Sequence, residues 1–377
     1  MVYLDYSATT PVNEEVLKSF NKVVLEYPGN ANSLHKLGMK SKGLMEASVK
    51  QIANLLDVRP EEVIFTSGAS EANNLAILGY LLKHKSRGNH IITTKLEHSS
   101  VSDTMLFLEK QGYSISYVNI LENGKIDIND LKNKITNATS LVSISHVNSE
   151  IGIIQEVNEI GKLLKNYPKI AFHVDGTQAI GKIKVNLDNI DLYSFSSHKI
   201  YGLNGVGCLI KKNHLELEPI IHGGKSQTIY RSGTPTIALY ASFAKALKLV
   251  LENFDDKYNH VLALNKKIRE NLETMNEVNI NSNIECIPHI LNISIKDIKP
   301  ETMLHALAEN NIYISTKTAC AYDSSLSESV YEFLKDKNLA SHSIRISLSY
   351  LTTNSEIDYF LKVFKEKIKE LSFMKGE

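Results

Sequence analysis

The chain has 377 residues, 43% apolar and 22% charged, an ordinary globular composition with room for one large domain and a smaller one. Its 42 basic residues balance 42 acidic ones, so no net field steers it toward nucleic acid or an anionic membrane. No apolar run reaches the roughly 20 residues that span a bilayer, and three widely spaced cysteines (Cys208, Cys286, Cys320) form neither a disulfide framework nor a zinc pattern, so a reducing cytoplasm is the expected compartment.

Pro11 opens a helical pattern carried by Val12, Val16, Phe20 and Val23. A second helix is expected over 34–56. Strands follow at 63–66, 90–94, 115–118, 141–146, 170–174 and 192–195, most of them separated by helical patterns. That alternation predicts an α/β domain on a largely parallel sheet. After the turn at 202–205, residues 206–210 read as a further strand returning along an edge. From about 238 to 275 the helical pattern is nearly continuous, long enough to bridge two domains. Strand 290–295, helix 301–310 and strands 312–315 and 344–348 then read as a small α+β unit, closed by an amphipathic helix over 355–371. Neither an internal repeat nor a low-complexity linker separates the units, so they are expected to pack together.

Several stretches carry chemistry. Lys199 lies in Ser194-Phe-Ser-Ser-His-Lys-Ile-Tyr-Gly202, framed by small hydroxyls and a histidine, a setting that suits a Schiff base with an aldehyde cofactor. Phe172-His-Val-Asp175 reads as a buried strand that delivers a carboxylate at its C-terminal end, where open α/β sheets place their ligands. A lysine imine and an aspartate facing a pyridine nitrogen are the minimum equipment for pyridoxal phosphate chemistry. Gln178 is a candidate partner for the ring's phenolic oxygen. Asp175 alone reads equally well as a helix cap.

Phe65-Thr-Ser-Gly-Ala-Ser-Glu-Ala-Asn73 follows a strand and opens a helix, so its N–H groups and the Ser70 hydroxyl form either a phosphate cradle or an ordinary N-cap. His98, after a β-rich run, is placed to stack on a flat cofactor and move protons, or else is structural. His146 and His173 fall inside strand patterns and read as core. Cys208 and Cys286 read as small buried hydrophobes. Cys320 differs, lying in a polar loop where an accessible thiolate would be nucleophilic, with Lys317 close in sequence. Arg345 alternates with apolar neighbours on a strand and either snorkels or clamps a carboxylate. The loop Tyr230-Arg-Ser-Gly-Thr234 is basic, bears hydroxyls and is placed to reach a phosphate.

Taken in order, these segments resemble the cysteine desulfurases of the class V aminotransferase branch of fold-type I pyridoxal-phosphate enzymes. The likeness is carried by Tyr3-Leu-Asp-Tyr-Ser-Ala-Thr-Thr-Pro11, Gly29-Asn30, the 66–74 stretch, Glu97-His98, His146-Val-Asn148, Glu150-Ile-Gly152, His173-Val-Asp-Gly-Thr-Gln178, Ser196-Ser-His-Lys-Ile-Tyr-Gly202 and Arg231-Ser-Gly-Thr234. It runs from residue 3 to about 365. The resemblance implies a homodimer and a large cofactor domain (13–250) on a mostly parallel seven-stranded sheet. A smaller α+β domain (1–12 with 251–377) would carry the Cys320 loop.

By motif match, Lys199 would hold pyridoxal 5'-phosphate covalently, Asp175 would face its ring nitrogen and His98 would stack on the ring. Ala69, Ser70, Ser196 and His198 would hold the phosphate, with Thr234 arriving from the partner subunit. Arg345 and Asn30 would serve L-cysteine, and Cys320 would accept its sulfur as a persulfide. No metal is implied. The acceptor beyond Cys320 would be an iron–sulfur scaffold or a tRNA-thiolation enzyme. Ser149 replaces the family's usual Asn, 225–229 replaces a Gly-rich stretch, and Thr316-Lys-Thr-Ala-Cys320 replaces Ser-Gly-Ser-Ala-Cys. Alternatives with the same fold are a selenocysteine lyase, an aminotransferase or a non-catalytic binding scaffold.

Overall fold

The computed structural model describes residues 1–316 and 326–373. Its strands in chain order are β1 (Val2–Tyr3), β2 (Val63–Thr66), β3 (His90–Thr93), β4 (Ser114–Tyr117), β5 (Thr139–Ser145), β6 (Ala171–Asp175), β7 (Leu192–Ser196), β8 (Gly207–Lys211), β9 (Val278–Ile280), β10 (Ile290–Ile295), β11 (Ile312–Tyr313) and β12 (Ser343–Ser347). Seven of them form one sheet in the order β2-β8-β7-β6-β5-β3-β4. All its pairings are parallel except those of β8, which runs antiparallel to both β2 and β7. The strand expected to return along an edge is therefore interior, and β2 takes the edge.

The strands of this sheet are apolar runs because helices cover both faces. Successive side chains alternate between two cores. Phe65, Val142, Phe172, Val174 and Phe195 pack with Ile52, Phe243 and Leu247 on one side. Ile64, Leu141, Ala171 and Leu192 pack with Leu75, Tyr80, Val101 and Met105 on the other. His173, read from sequence as core, is fully buried, and Ser143 Oγ at 2.8 Å and Ser194 Oγ at 3.1 Å satisfy its two ring nitrogens. Cys208 and Cys286 are buried free thiols, and burial raises Cys286 to about 11.

The first helix runs Glu14–Glu26, capped by the Asn13 side chain on Glu15 N, so the asparagine sets its start and Pro11 lies outside. The second runs Lys36–Leu55. The long pattern after 238 is two helices, Ile237–Leu251 and Phe254–Leu272. Asn253, at a left-handed φ of 52°, breaks the ladder between them. Beyond it, β10 pairs antiparallel with β12 and β9, while β11 pairs with β1. Leu4, Leu264, Ile268, Ile293, Met303, Ile346, Phe360 and Phe364 share a separate core there. Among the described residues no helix is long and apolar enough to cross a membrane.

Candidate active site

Parallel strands end on one edge, and the polar groups collect there. A cavity of about 380 Å³ opens at that edge, lined among others by Ala69, Ser70, His98, Asp175, Gln178, Ser196, His198, Lys199 and Arg345. Residues far apart in sequence arrive because neighbouring strands deliver them. The β2 end supplies Ser67–Ser70, β7 supplies Ser196–Lys199, β6 supplies Asp175–Gln178, β5 leads to Ser145–Ser149 and β3 to Leu96–His98. The chain steps outward from β3 to β4 and returns to β5 on the other side. That reversal leaves a crevice, the usual ligand position in such sheets.

Backbone clearance shapes the cavity. A Cβ at Gly207 would stand 2.5 Å from the Gly68 carbonyl carbon, so only glycine lets the Gly68–Ser70 turn close down on β8. From Ala69 the chain is helical through Lys83, with a π turn at Leu75–Gly79. At Gly176 a Cβ would meet Tyr193 Cζ at 1.9 Å, so glycine lets the chain after Asp175 turn tightly over that ring.

Lys199 ends a single 3-10 turn after β7, and its Nζ donates to Ser7 O and Ala8 O, both at 2.6 Å. The turn is braced by Tyr201, a bulky residue at a left-handed φ of 64°. Tyr201 N–H donates to Thr10 Oγ1 at 2.7 Å, and its hydroxyl meets Ser349 Oγ at 2.5 Å. Asp175 is buried. Its Oδ2 accepts from Asn73 Nδ2 at 2.8 Å and its Oδ1 from Thr177 N at 2.9 Å.

Gln178 Nε2 donates to Ser7 O at 2.9 Å, and the Lys182 ammonium donates to its Oε1. Burial pushes Lys182 down to about 7, with repulsion from Lys199 and Arg345 adding to it. His198 Nδ1 lies 3.2 Å from Thr9 Oγ1, and burial, then Lys199 and Lys182, hold the ring near 4, hence neutral.

His98 caps the helix Ser99–Lys110, its Nδ1 accepting from Ser100 N at 3.1 Å. Burial lowers its pKa, and the Asp175 charge only partly restores it. Next to it, Glu97 is buried and raised by burial to about 8, although it accepts from Thr94 Oγ1 at 2.6 Å and Ser145 N at 3.0 Å. Arg345 is 2% exposed. Its Nη2 meets Asp5 Oδ1 at 3.0 Å and its Nη1 donates to Ser149 O at 2.9 Å, so the guanidinium faces inward and does not snorkel.

Two expected residues stand apart. Asn30 is exposed and off the cavity wall, its Oδ1 accepting from Asn32 N at 2.9 Å. Thr234 is also exposed and off the wall of its own chain. The basic loop before it does not offer its guanidinium to a phosphate. Arg231 Nε and Nη2 instead grip the two Glu71 oxygens at 2.9 and 3.3 Å, tying the loop to the helix start. Cys320 and Lys317 lie outside the described residues. Sequence reading passed over Asn73, Ser100, Asp5, Lys182 and the Ser7–Ala8 carbonyls. The first sits in a stretch whose caps drew attention away from its buried face, and the others act across separations that no local pattern displays.

The residues present fit pyridoxal phosphate. A buried carboxylate, a lysine amine and a hydroxyl-bearing helix start line one cavity, matching a ring cation, an aldehyde and a phosphate. The Thr177 hydroxyl beside Asp175 is buried with no hydrogen-bond partner among the described residues.

The likeness to known proteins runs along nearly the whole chain. Residues 2–360 match the family described as aminotransferase class-V. A cysteine desulfurase IscS of Buchnera aphidicola subsp. Baizongia pistaciae is 41% identical, the match covering 98% of this chain and 93% of the relative. A NifS/IcsS protein homolog of Lactobacillus delbrueckii subsp. bulgaricus is 39% identical over 99% and 98%. Among solved structures, a NifS-like protein superposes with a TM-score of 0.92 at 32% identity, covering 99% of both chains. A structure titled SspA in complex with cysteine gives 0.82 at 29% identity, covering 94% of this chain and 100% of that one.

Proposed function

The chain belongs to the class-V aminotransferase family and, within it, to the cysteine desulfurases, and from that premise we propose how its own residues remove sulfur from L-cysteine. The observation that carries the reading is the meeting of Lys199, Asp175, Ser70, Ser196, His198 and Arg345 on one cavity wall. Lys199 would anchor pyridoxal 5'-phosphate through its amine, Asp175 would hold the proton on the ring nitrogen, and Gln178 would face the phenolic oxygen. Ala69, Ser70, Ser196 and His198 would hold the phosphate, with Thr234 reaching over from a second copy in a homodimer. Once bound, the cofactor supplies a ring that takes up negative charge from the substrate Cα.

The rest falls to the protein. Arg345, already oriented by Asp5, holds the substrate carboxylate through its planar fork. The Lys199 amine takes the Cα proton at Nζ, and its carbonyl partners Ser7 and Ala8 give the resulting ammonium a place to rest. Cys320 accepts the sulfur as a persulfide while the carbon skeleton leaves as L-alanine, and a protein acceptor, an iron–sulfur scaffold or a tRNA-thiolation enzyme, then receives it. The test is incubation of the cofactor-loaded protein with L-cysteine, followed by amino-acid analysis and mass spectrometry. Alanine in step with a persulfide on Cys320 is the expected result. Keto acid without alanine, or a persulfide confined to Cys208 or Cys286, would overturn it.

A further inference from the structure

We propose that Asn73 is a positioning residue that aims the Asp175 carboxylate and, through Ser100, keeps His98 as the neutral tautomer whose proton sits on Nε2. The proposal rests on the pyridoxal-phosphate reading only for its consequence in catalysis, since the hydrogen bonds stand by themselves. Asn73 has no exposed surface. Its Nδ2 lies 2.8 Å from Asp175 Oδ2 and 2.9 Å from Ser100 Oγ. Only an NH2 group has two protons for two acceptors, and a flipped amide would set its oxygen against a carboxylate. Asn73 Oδ1 has no hydrogen-bond partner among the described residues, so the side chain is held there by its donors.

The direction of the next link follows. Ser100 Oγ accepts from Asn73, which leaves its own proton for His98 Nδ1, 2.9 Å away. Ser100 N–H donates to the same Nδ1 at 3.1 Å. A nitrogen facing two donors carries no proton, so in the neutral ring the proton is on Nε2. The helix that begins at Ser99 opposes a second proton, as burial does. The charged groups around His98 are Asp175, Lys199, Glu150 and Asp103. His98 therefore offers the cofactor a neutral face and an Nε2–H donor, and Lys199 is left as the base.

The test compares wild type with Asn73→Ala and with the nearly isosteric Asn73→Asp. In protein without added cofactor, the ring ¹⁵N resonances of His98, identified by their loss in His98→Gln, should show bare Nδ1 and protonated Nε2 at about pH 8, above the ordinary imidazole range. In cofactor-loaded protein, Asn73→Ala should weaken pyridoxal phosphate binding roughly tenfold. It should also move the pH midpoint of the visible absorbance by roughly half a unit or more, and Asn73→Asp should move it further because two carboxylates then oppose each other. A residue that only fills space would leave Asn73→Asp like wild type. Unchanged midpoints and unchanged His98 resonances in both variants would overturn the proposal. Should both variants fail to fold, Ser100→Ala keeps the Asn73–Asp175 bond and must still shift the Nδ1 resonance; an unmoved resonance counts against it. If wild type takes up no pyridoxal phosphate, the functional reading fails while the ring resonances still judge the Asn73 network.

Discussion

The two ends of the large sheet make an instructive pair. At the end where the parallel strands begin lies a cleft of about 800 Å³, wider than the cavity of about 380 Å³ at the opposite edge. The wide cleft is rich in charge, yet its acids serve the loops around them. Asp191 accepts from Phe172 N at 2.8 Å and meets His214 Nε2 at 3.0 Å. Glu62 accepts from Arg59 N and Asn213 N, both at 3.0 Å, with Lys212 Nζ at 3.9 Å. In the smaller cavity, side chains from five strand ends point into one volume. Strand direction explains the contrast, because crossover connections return each chain segment to the same edge. Size alone would have chosen the wrong end.

Substitutions at the two ends sharpen this contrast. Lys199→Ala should cost about 10⁴-fold in alanine formation and abolish the visible cofactor absorbance; a retained band would place the attachment elsewhere. Asp175→Asn should slow solvent exchange of the Cα proton by roughly 10² to 10³-fold while cofactor stays bound, and exchange at the wild-type rate would refute its electrostatic part. Arg345→Lys should raise KM for cysteine roughly tenfold with kcat less affected, since an ammonium cannot reproduce the fork; a KM like wild type would remove it from substrate binding.

A pH series probes Glu97. Its folded pKa of about 8 lies above the ordinary 4.5, so the folded state holds a proton that the unfolded chain releases. Its stabilising effect is full below about 4.5 and is lost as pH rises through about 8. Glu97→Gln should therefore gain in melting temperature relative to wild type across that window, and a parallel pair of melting curves would contradict the buried neutral acid. The smallest effect belongs to the wide cleft. His214→Ala with Lys212→Ala should leave kcat/KM within about twofold, because exposed or distant pairs contribute little, and a large loss there would break the contrast between the two ends.

Much of this was legible in the chain. Strand β2 falls on its expected span because a fully buried strand is a plain apolar run, and Lys199 and Asp175 stood out because strand-end chemistry is local. The break at Asn253 was hidden, since hydrophobic periodicity continues across one left-handed residue. The interior place of β8 was hidden too, because strand order depends on pairing partners that periodicity does not encode. Asp5 could not be matched to Arg345 from sequence, for nothing local links residues so far apart. Lys182 reads as a solvated lysine until the fold buries it against Gln178.

That long-range bond has a consequence for biosynthesis. Asp5 and Ser7 must find Arg345 and Ser347, partners separated by 340 positions. The opening segment can dock on Gln178, Lys199 and Tyr201 while translation continues, but the Asp5–Arg345 pair can form only once residue 345 has been delivered. Closure of this pair is thus a late event of folding, later than the sheet beside it.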